Sequence, residues 1–136
     1  MRAVIRGILL VAILLLPLVL GLASLMVAWR GQLSVNVGQA VRILLVLSAS
    51  IALLNGYLSF GRPILYATRH KNSLEGYKHV SGIPVVGTVL TALAIAFAWG
   101  SASVAMIGIL LLLVDTGGSF VFLLVVARDK SFWTEA

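Results

Sequence analysis

The sequence has no cysteine, few charged residues and only four acidic ones. The absence of cysteine excludes a disulfide scaffold and a thiolate metal site. Of the 136 residues, 10% are charged and 61% are apolar, whereas a soluble domain has about 25% charged residues. A soluble fold of this size cannot bury so much apolar surface, and a disordered chain is much more polar. The composition therefore predicts an integral membrane protein.

The most prominent feature of the sequence is a series of long apolar runs. A bilayer core of about 30 Å requires roughly 20 apolar residues in a helix. Four runs meet this requirement, and they predict transmembrane helices at residues 7–29, 43–61, 83–100 and 102–127. The first run is longer than the apolar segment of a signal peptide, so we expect it to be retained. The sequence predicts an all-α polytopic membrane protein, with four transmembrane helices in one antiparallel bundle and a single membrane domain over residues 1–136.

The basic residues are distributed unevenly between the segments that flank these helices. With both termini in the cytoplasm, eight basic residues lie inside, Arg2, Arg6, Arg62, Arg69, Lys71, Lys78, Arg128 and Lys130, and two lie outside, Arg30 and Arg42. Cytoplasmic loops carry the excess of Lys and Arg, so we expect both termini and the basic loop 62–79 to be cytoplasmic. The net charge of +6 then favours contact with anionic membrane lipids, and nucleic acid is not an expected partner.

Asp115 is the one acidic residue inside a predicted span. An ionisable residue at the centre of a membrane helix costs roughly 2.5–3.5 kcal/mol to insert, so its carboxyl must be protonated, paired or hydrated. We expect an intramembrane polar site of Asp115, Thr116 and Asn55. Other neutral groups within reach across the bundle are Ser48, Ser50, Thr88 and Thr91. Two interpretations remain open at this point: an ion- or proton-linked site, or a hydrogen-bonded residue that fixes helix packing.

Small residues and helix breakers predict how the helices pack and bend. Small residues recur every fourth position in the second span, at Ser48, Ala52 and Gly56, and in the third, at Thr88, Ala92, Ala96 and Gly100. Such stripes let helix backbones approach closely in lipid. Pro17 removes a backbone donor within the first span and predicts a bend there. Gly117 and Gly118 predict a loosening or break in the fourth span.

No arrangement of residues in the sequence predicts catalysis. The segment Leu113–Ser119 resembles the Asp-Thr-Gly signature of aspartic proteases, which work with a second aspartate on a β scaffold. The chain has one such segment, on a predicted membrane helix. A metal-ligand spacing, a paired intramembrane serine and histidine, and a glycine-rich phosphate loop are all missing from the sequence. We therefore expect a non-enzymatic protein without a metal or other cofactor.

Two resemblances bear on function. In size and number of helices the chain resembles the small multidrug resistance transporters, although its first helix lacks the essential Glu of that family. The stretches Tyr77–Thr88 (YKHVSGIPVVGT) and Leu113–Gly118 (LVDTGG) resemble small four-helix bacterial inner-membrane proteins. Some of those proteins act as immunity proteins beside secreted interbacterial toxins, including type VI secretion effectors.

The second resemblance implies an inner-membrane location and a protein partner in or at the bilayer. Because little of the chain lies outside the predicted helices, a membrane-targeting or pore-forming toxin is the expected partner. One alternative is a small oligomeric transporter or channel that couples to ions or protons through Asp115. Another is a structural subunit of a larger membrane complex.

Overall fold

The computed structural model describes residues 2–31, 36–70, 73–78, 80 and 82–128, with the backbone alone at 2–8 and 125–128. Every regular element in these ranges is helical, which confirms the predicted all-α class. Two helices, Leu9–Trp29 and Gln39–Arg69, are long and apolar enough to cross a membrane. Only 17% of the most apolar window of each is buried, whereas the core helix of a soluble protein is mostly buried. The number of spans and their orientation remain predictions.

The second of these long helices continues beyond its predicted end. The first helix is α1 (Arg2–Trp29), and the second consists of α2 (Gln39–Gly56), a π-helical turn (Tyr57–Gly61) and α3 (Arg62–Arg69). Pro63 has no backbone N–H and disturbs the hydrogen bonding of an ordinary α-helical turn. The wider π turn just before it accommodates that irregularity. The predicted span 43–61 is therefore too short, and the first part of the predicted loop 62–79 is helical.

The predicted third and fourth spans also have different bounds in the structure. The corresponding helices are α4 (Val86–Phe97), α5 (Ala102–Val114) and α6 (Ser119–Arg128). Pro84 and Val85 precede α4, and Val85 has a left-handed φ of 65°, so the helix does not extend back to residue 83. Asp115 is extended, with φ −67° and ψ 102°, which divides the fourth span. At about 1.5 Å per residue, α4 is roughly 18 Å long, less than a bilayer core of about 30 Å.

The helices pack in antiparallel pairs. The most extensive packing is between α2 and α4, followed by α1 with α5 and α4 with α5. Val41, near the start of α2, clusters with Ala98 just after α4, whereas Asn55, near the end of α2, bonds Ile83 just before α4. The backbone N–H of Gly100 donates to Ser24 Oγ of α1 at 3.0 Å. We call this end of the bundle the Gly100 end and the opposite one the Arg69 end.

A small apolar cluster lies at the Gly100 end. Its buried members are Val41, Ala94, Ile95, Ala98 and Val104, and Val37, Leu44, Leu45 and Trp99 pack against them. Ile95 fills a notch left by two glycines, since a Cβ added to Gly108 would lie 2.8 Å from Ile95 Cδ1 and one added to Gly21 would lie 3.5 Å from it. The missing side chains let α1, α4 and α5 approach closely, as small residues do in membrane helices.

Candidate functional site

Two segments of non-helical backbone meet near the end of α2. One is residues 82–85, which lead into α4, and the other is residues 115–118, between α5 and α6. The N–H of Val85 donates to the carbonyl oxygen of Gly117 at 2.9 Å. We call these two segments, together with Asn55, the polar crossover. Non-helical backbone at membrane depth must be hydrogen-bonded by protein or water, because lipid offers no partner.

Asn55 joins both segments to α2. Its side chain is 1% exposed. Its Nδ2 donates to the carbonyl of Ile83 at 3.1 Å and to Asp115 Oδ1 at 2.7 Å, and its Oδ1 accepts from the N–H of Ile83 at 2.8 Å. One amide thus satisfies both backbone groups of Ile83 and one carboxylate oxygen. Gly82 and Gly117 lie directly against this amide, where a Cβ at either position would collide with it.

Asp115 ends α5 and organises the turn that follows. Its side chain is 2% exposed. Besides the bond from Asn55, Oδ1 accepts the N–H of Gly117 at 3.1 Å, an Asx turn of the kind that stabilises a chain leaving a helix. The N–H of Gly118 donates to the Asp115 carbonyl at 2.9 Å. The carboxylate therefore replaces backbone bonds that the interrupted helix has lost.

The second carboxylate oxygen of Asp115 has no hydrogen-bond partner among the described residues. This Oδ2 lies against Gly87 in the first turn of α4, where an added Cβ would be 2.6 Å from it. The α6 helix also starts nearby, at Ser119. The first turn of α4 therefore lies against this oxygen, and helix N-termini carry partial positive charge. An unpartnered, buried carboxyl oxygen is unusual in a native protein.

Hydroxyl groups complete the polar contacts on both sides of Asp115. The N–H of Ser119 donates to Thr88 Oγ1 at 3.1 Å, which connects the start of α6 to α4. Ser48 Oγ and Thr91 Oγ1 each lie 2.9 Å from the carbonyl oxygen of Gly87 and also contact each other. The carbonyl of Gly87 thus accepts from hydroxyls of both α2 and α4.

The structure brings most of the predicted polar site together. Of the neutral groups considered for Asp115, Asn55 is the one that bonds it, and Gly117 and Gly118 lie in the helix break. Thr116 is oriented differently, and its Oγ1 lies 3.0 Å from Ser59 Oγ. Ser50 Oγ donates to the Val46 carbonyl of its own helix at 2.9 Å. Pro17 lies within α1, which remains helical on both sides.

The residues of the two predicted packing stripes differ in how deeply they are buried. Ser48 and Ala52 are buried and Gly56 is half-buried; on α4, Thr88 is buried, as is Gly100 beyond its end, but Ala92 is half-buried and Ala96 is exposed. The buried face of α4 is Gly87, Thr88, Thr91, Ala94 and Ile95. Residues four apart lie about 40° apart around a helix of 3.6 residues per turn, so a strict four-residue spacing drifts away from one face. The buried residues of α4 instead follow steps of three and four.

An apolar groove lies apart from the polar crossover, at the Gly100 end. It has a volume of about 300 Å³ and lies between α1 and α5, lined by Leu25, Ala28, Trp29, Ala102 and Met106. Trp29 is 87% exposed, and it marks the rim of the groove. None of these residues stood out in the sequence, where Trp29 is simply the last residue of an apolar run.

Comparison with family models, with curated proteins and with solved structures finds no match to this chain. Within the described residues, His, Asp and Glu form no group of three or more that could hold a metal ion. Function is therefore inferred from the polar crossover and the apolar groove.

Proposed function

We propose that this chain is a non-enzymatic integral membrane protein that binds a protein partner at the bilayer, as an immunity protein against a membrane-inserting or pore-forming toxin. In this proposal the chain crosses a bacterial inner membrane four times, and both termini are cytoplasmic. The two long apolar helices support the membrane location, and the uneven distribution of basic residues supports the orientation. The Gly100 end then faces outward.

The apolar groove between α1 and α5 carries this proposal. It presents Trp29 and Met106, which are 87% and 56% exposed, at the end proposed to face outward. Tryptophan is the residue type that most often dominates binding energy at protein interfaces, and methionine adapts to irregular apolar partners. A partner that enters the bilayer can place an apolar side chain in this groove. A toxin that inserts into the membrane has such side chains to offer.

Co-production of the chain with the product of each adjacent gene tests this proposal, with cell survival and pull-down as readouts. We expect Trp29→Ala to reduce both by about tenfold, the usual cost of removing an interface anchor. Phe97→Ala is the matched control, because Phe97 is 69% exposed and lies near the same end, outside the groove. Equal losses in the two variants, or no protection from any adjacent gene product, would contradict the proposal.

A second candidate function is proton- or ion-linked transport in an oligomer. Asp115 Oδ2 favours it, because this buried oxygen has no hydrogen-bond partner in the part of the chain that the structure describes. Ionisable residues within membrane segments often mark proton relays and ion pathways. Interrupted helices near the membrane midplane are also a recurrent feature of transporter binding sites. Asp115 combines both features, because it is buried and it lies at the interruption between α5 and α6.

Proton flux into proteoliposomes under an imposed pH gradient tests the second candidate. Asp115→Asn keeps an oxygen that can accept from Asn55 and Gly117, so it removes the acidic group and preserves the crossover. Transport predicts flux above that of empty liposomes in the wild type and its loss in Asp115→Asn. Equal flux in the two proteins, with a native helical spectrum in both, would exclude Asp115 as the coupling group.

A further inference from the structure

A basic pocket lies at the Arg69 end, where the chain turns back along α3. Its volume is about 440 Å³, and it is lined by Tyr57, Arg62, Leu65, Tyr66, Arg69, His70, Gly76, Tyr77 and Lys78. We call this set the basic pocket. Three of its residues are cationic and three are tyrosines, and none is acidic. It shares no residue with the polar crossover or with the apolar groove.

The π turn and α3 position one wall of the basic pocket. Arg62, Tyr66 and Arg69 follow one another at steps of four and three residues, which places them on one face of α3. The π turn Tyr57–Gly61 inserts extra backbone just before them, which rotates this face relative to α2. The Tyr57 ring lies over Gly61, where an added Cβ would be 2.7 Å from ring carbon Cδ2.

Aromatic and hydrogen-bond contacts hold residues 73–78 against α3. Tyr66 Oη donates to the carbonyl of Glu75 at 2.9 Å. The Tyr66 ring stacks on His70 with centroids 4.0 Å apart and meets the Tyr77 ring at 5.2 Å. The Arg62 guanidinium lies 6.0 Å from the centroid of Tyr77, within the usual range for a cation–π contact. Tyr66 is therefore central to the wall, and the cationic side chains surround it.

The pocket concentrates positive charge without an acidic residue among its lining groups. Arg62 is half-buried, and Arg69 and Lys78 are exposed. The neighbouring acid, Glu75, contacts the pocket wall through its backbone carbonyl. Guanidinium groups bind phosphate through paired, charge-assisted hydrogen bonds. This chemistry suits a phosphate-bearing anion.

We propose that the basic pocket binds a phosphate-bearing anion, which in a membrane is the headgroup of an anionic lipid. Leu65, which lines the pocket, is 47% exposed, so an apolar side chain adjoins the cationic groups and can contact an acyl chain. Basic pockets beside membrane helices are typical sites for anionic headgroups. The inference rests on the proposed membrane location but not on the partner or on transport, and soluble phosphate offers the same chemistry.

The test compares two pairs of substitutions that remove the same charge from opposite ends of the bundle. Arg62→Gln with Arg69→Gln alters the basic pocket, and Arg30→Gln with Arg42→Gln alters exposed arginines near the Gly100 end. Native mass spectrometry of protein released from nanodiscs measures retained phosphatidylglycerol against phosphatidylcholine. We expect the pocket pair to reduce retained phosphatidylglycerol by about tenfold, a typical loss for paired charge-assisted bonds, and the control pair to leave it nearly unchanged.

Further arms identify the source of the phosphate and guard against misfolding. Displacement of phosphatidylglycerol by millimolar inorganic phosphate would support the site with a soluble anion as its ligand. If inorganic phosphate does not displace phosphatidylglycerol, the result would support a lipid ligand whose acyl chains also contribute to binding. The pair Arg62→Lys with Arg69→Lys, which keeps the charge, should retain an intermediate amount of lipid. Equal losses in the pocket and control pairs, or equal retention of phosphatidylcholine, would overturn the proposal.

Discussion

The apolar cluster at the Gly100 end and the polar crossover hold the same bundle together by different forces. In the cluster, regular helices bond their own backbones, so only the shapes of side chains such as Ile95 and Ala94 need to match. In the crossover, two segments have left helical geometry, and their backbone groups need partners. Asn55 and Asp115 supply those partners. The buried amide of Asn55 and the buried carboxyl of Asp115 are therefore found where helices break.

This difference predicts different costs of damage in the two regions. In the proposed bilayer, lipid is as apolar as leucine, so burial from water contributes little to helix association, and fit and hydrogen bonding contribute most. Removing an apolar side chain from the cluster leaves a cavity. Removing Asn55 from the crossover takes away the bonds it makes to the N–H and carbonyl of Ile83 and one of the two bonds to Asp115 Oδ1, and an unsatisfied buried group costs about 1–3 kcal/mol. The crossover should therefore be the more sensitive of the two.

Asn55→Ala is expected to have the largest effect on stability. It leaves the N–H and carbonyl of Ile83 and one oxygen of Asp115 without the bonds that Asn55 makes. We expect the free energy of unfolding to fall by about 3 kcal/mol, a value between the cost of fully unsatisfied groups and the smaller values typical of membrane helices. Reversible unfolding in mixed detergent micelles, followed by circular dichroism, measures it.

Ser50→Ala is the matched control for that variant. Ser50 lies on the same helix and is exposed, and its hydroxyl bonds only a carbonyl of its own helix among the described contacts. We expect a change within about 0.5 kcal/mol, as for other surface substitutions. If Asn55→Ala were no more destabilising than Ser50→Ala, the polar crossover would not be what holds the two breaks together.

Ile95→Ala should have the next largest effect and measures the apolar cluster. Ile95 is fully buried and fills the notch at Gly21 and Gly108, so its loss leaves a cavity between three helices. We expect the free energy of unfolding to fall by about 2 kcal/mol. Leu93→Ala, on the exposed side of the same helix, should cost less than about 1 kcal/mol. A larger effect for Ile95→Ala than for Asn55→Ala would reverse the ranking of the two regions.

The sequence indicates the crossover because its residues are out of place in an apolar run. Asp115 and Asn55 are costly in lipid unless they have partners, which predicts that they lie inside the bundle. The glycine pair that follows Asp115 predicts a break, and the structure has a non-helical turn there. These inferences need only the polarity of single residues and the conformational preference of glycine.

Other parts of the site depend on contacts between distant segments, which no local pattern encodes. The main partner of Asn55 is the backbone of Ile83, and backbone groups are the same in every residue. The contact face of α4 depends on which neighbours surround it, so the regular spacing that includes Ala96 misplaces it. The continuation of α2 through the π turn was missed because Pro63 and Arg62 resemble the start of a loop.

Gly87→Ala should have the smallest of the three effects and tests how tightly Asp115 is held. An added Cβ would lie 2.6 Å from Asp115 Oδ2 and 3.3 Å from Ile51 Cγ2, so we expect a loss of about 1–2 kcal/mol from overpacking. Gly56→Ala is the control, because a Cβ there meets nothing within 4 Å and alanine should stabilise the helix by about 0.5–1 kcal/mol. Both glycines are helical, so opposite signs for the two substitutions would locate the constraint at the close contacts of Gly87 with Asp115 and Ile51. If both variants were stabilised, Asp115 would have room to move, and the close contact at Oδ2 would not restrain the crossover.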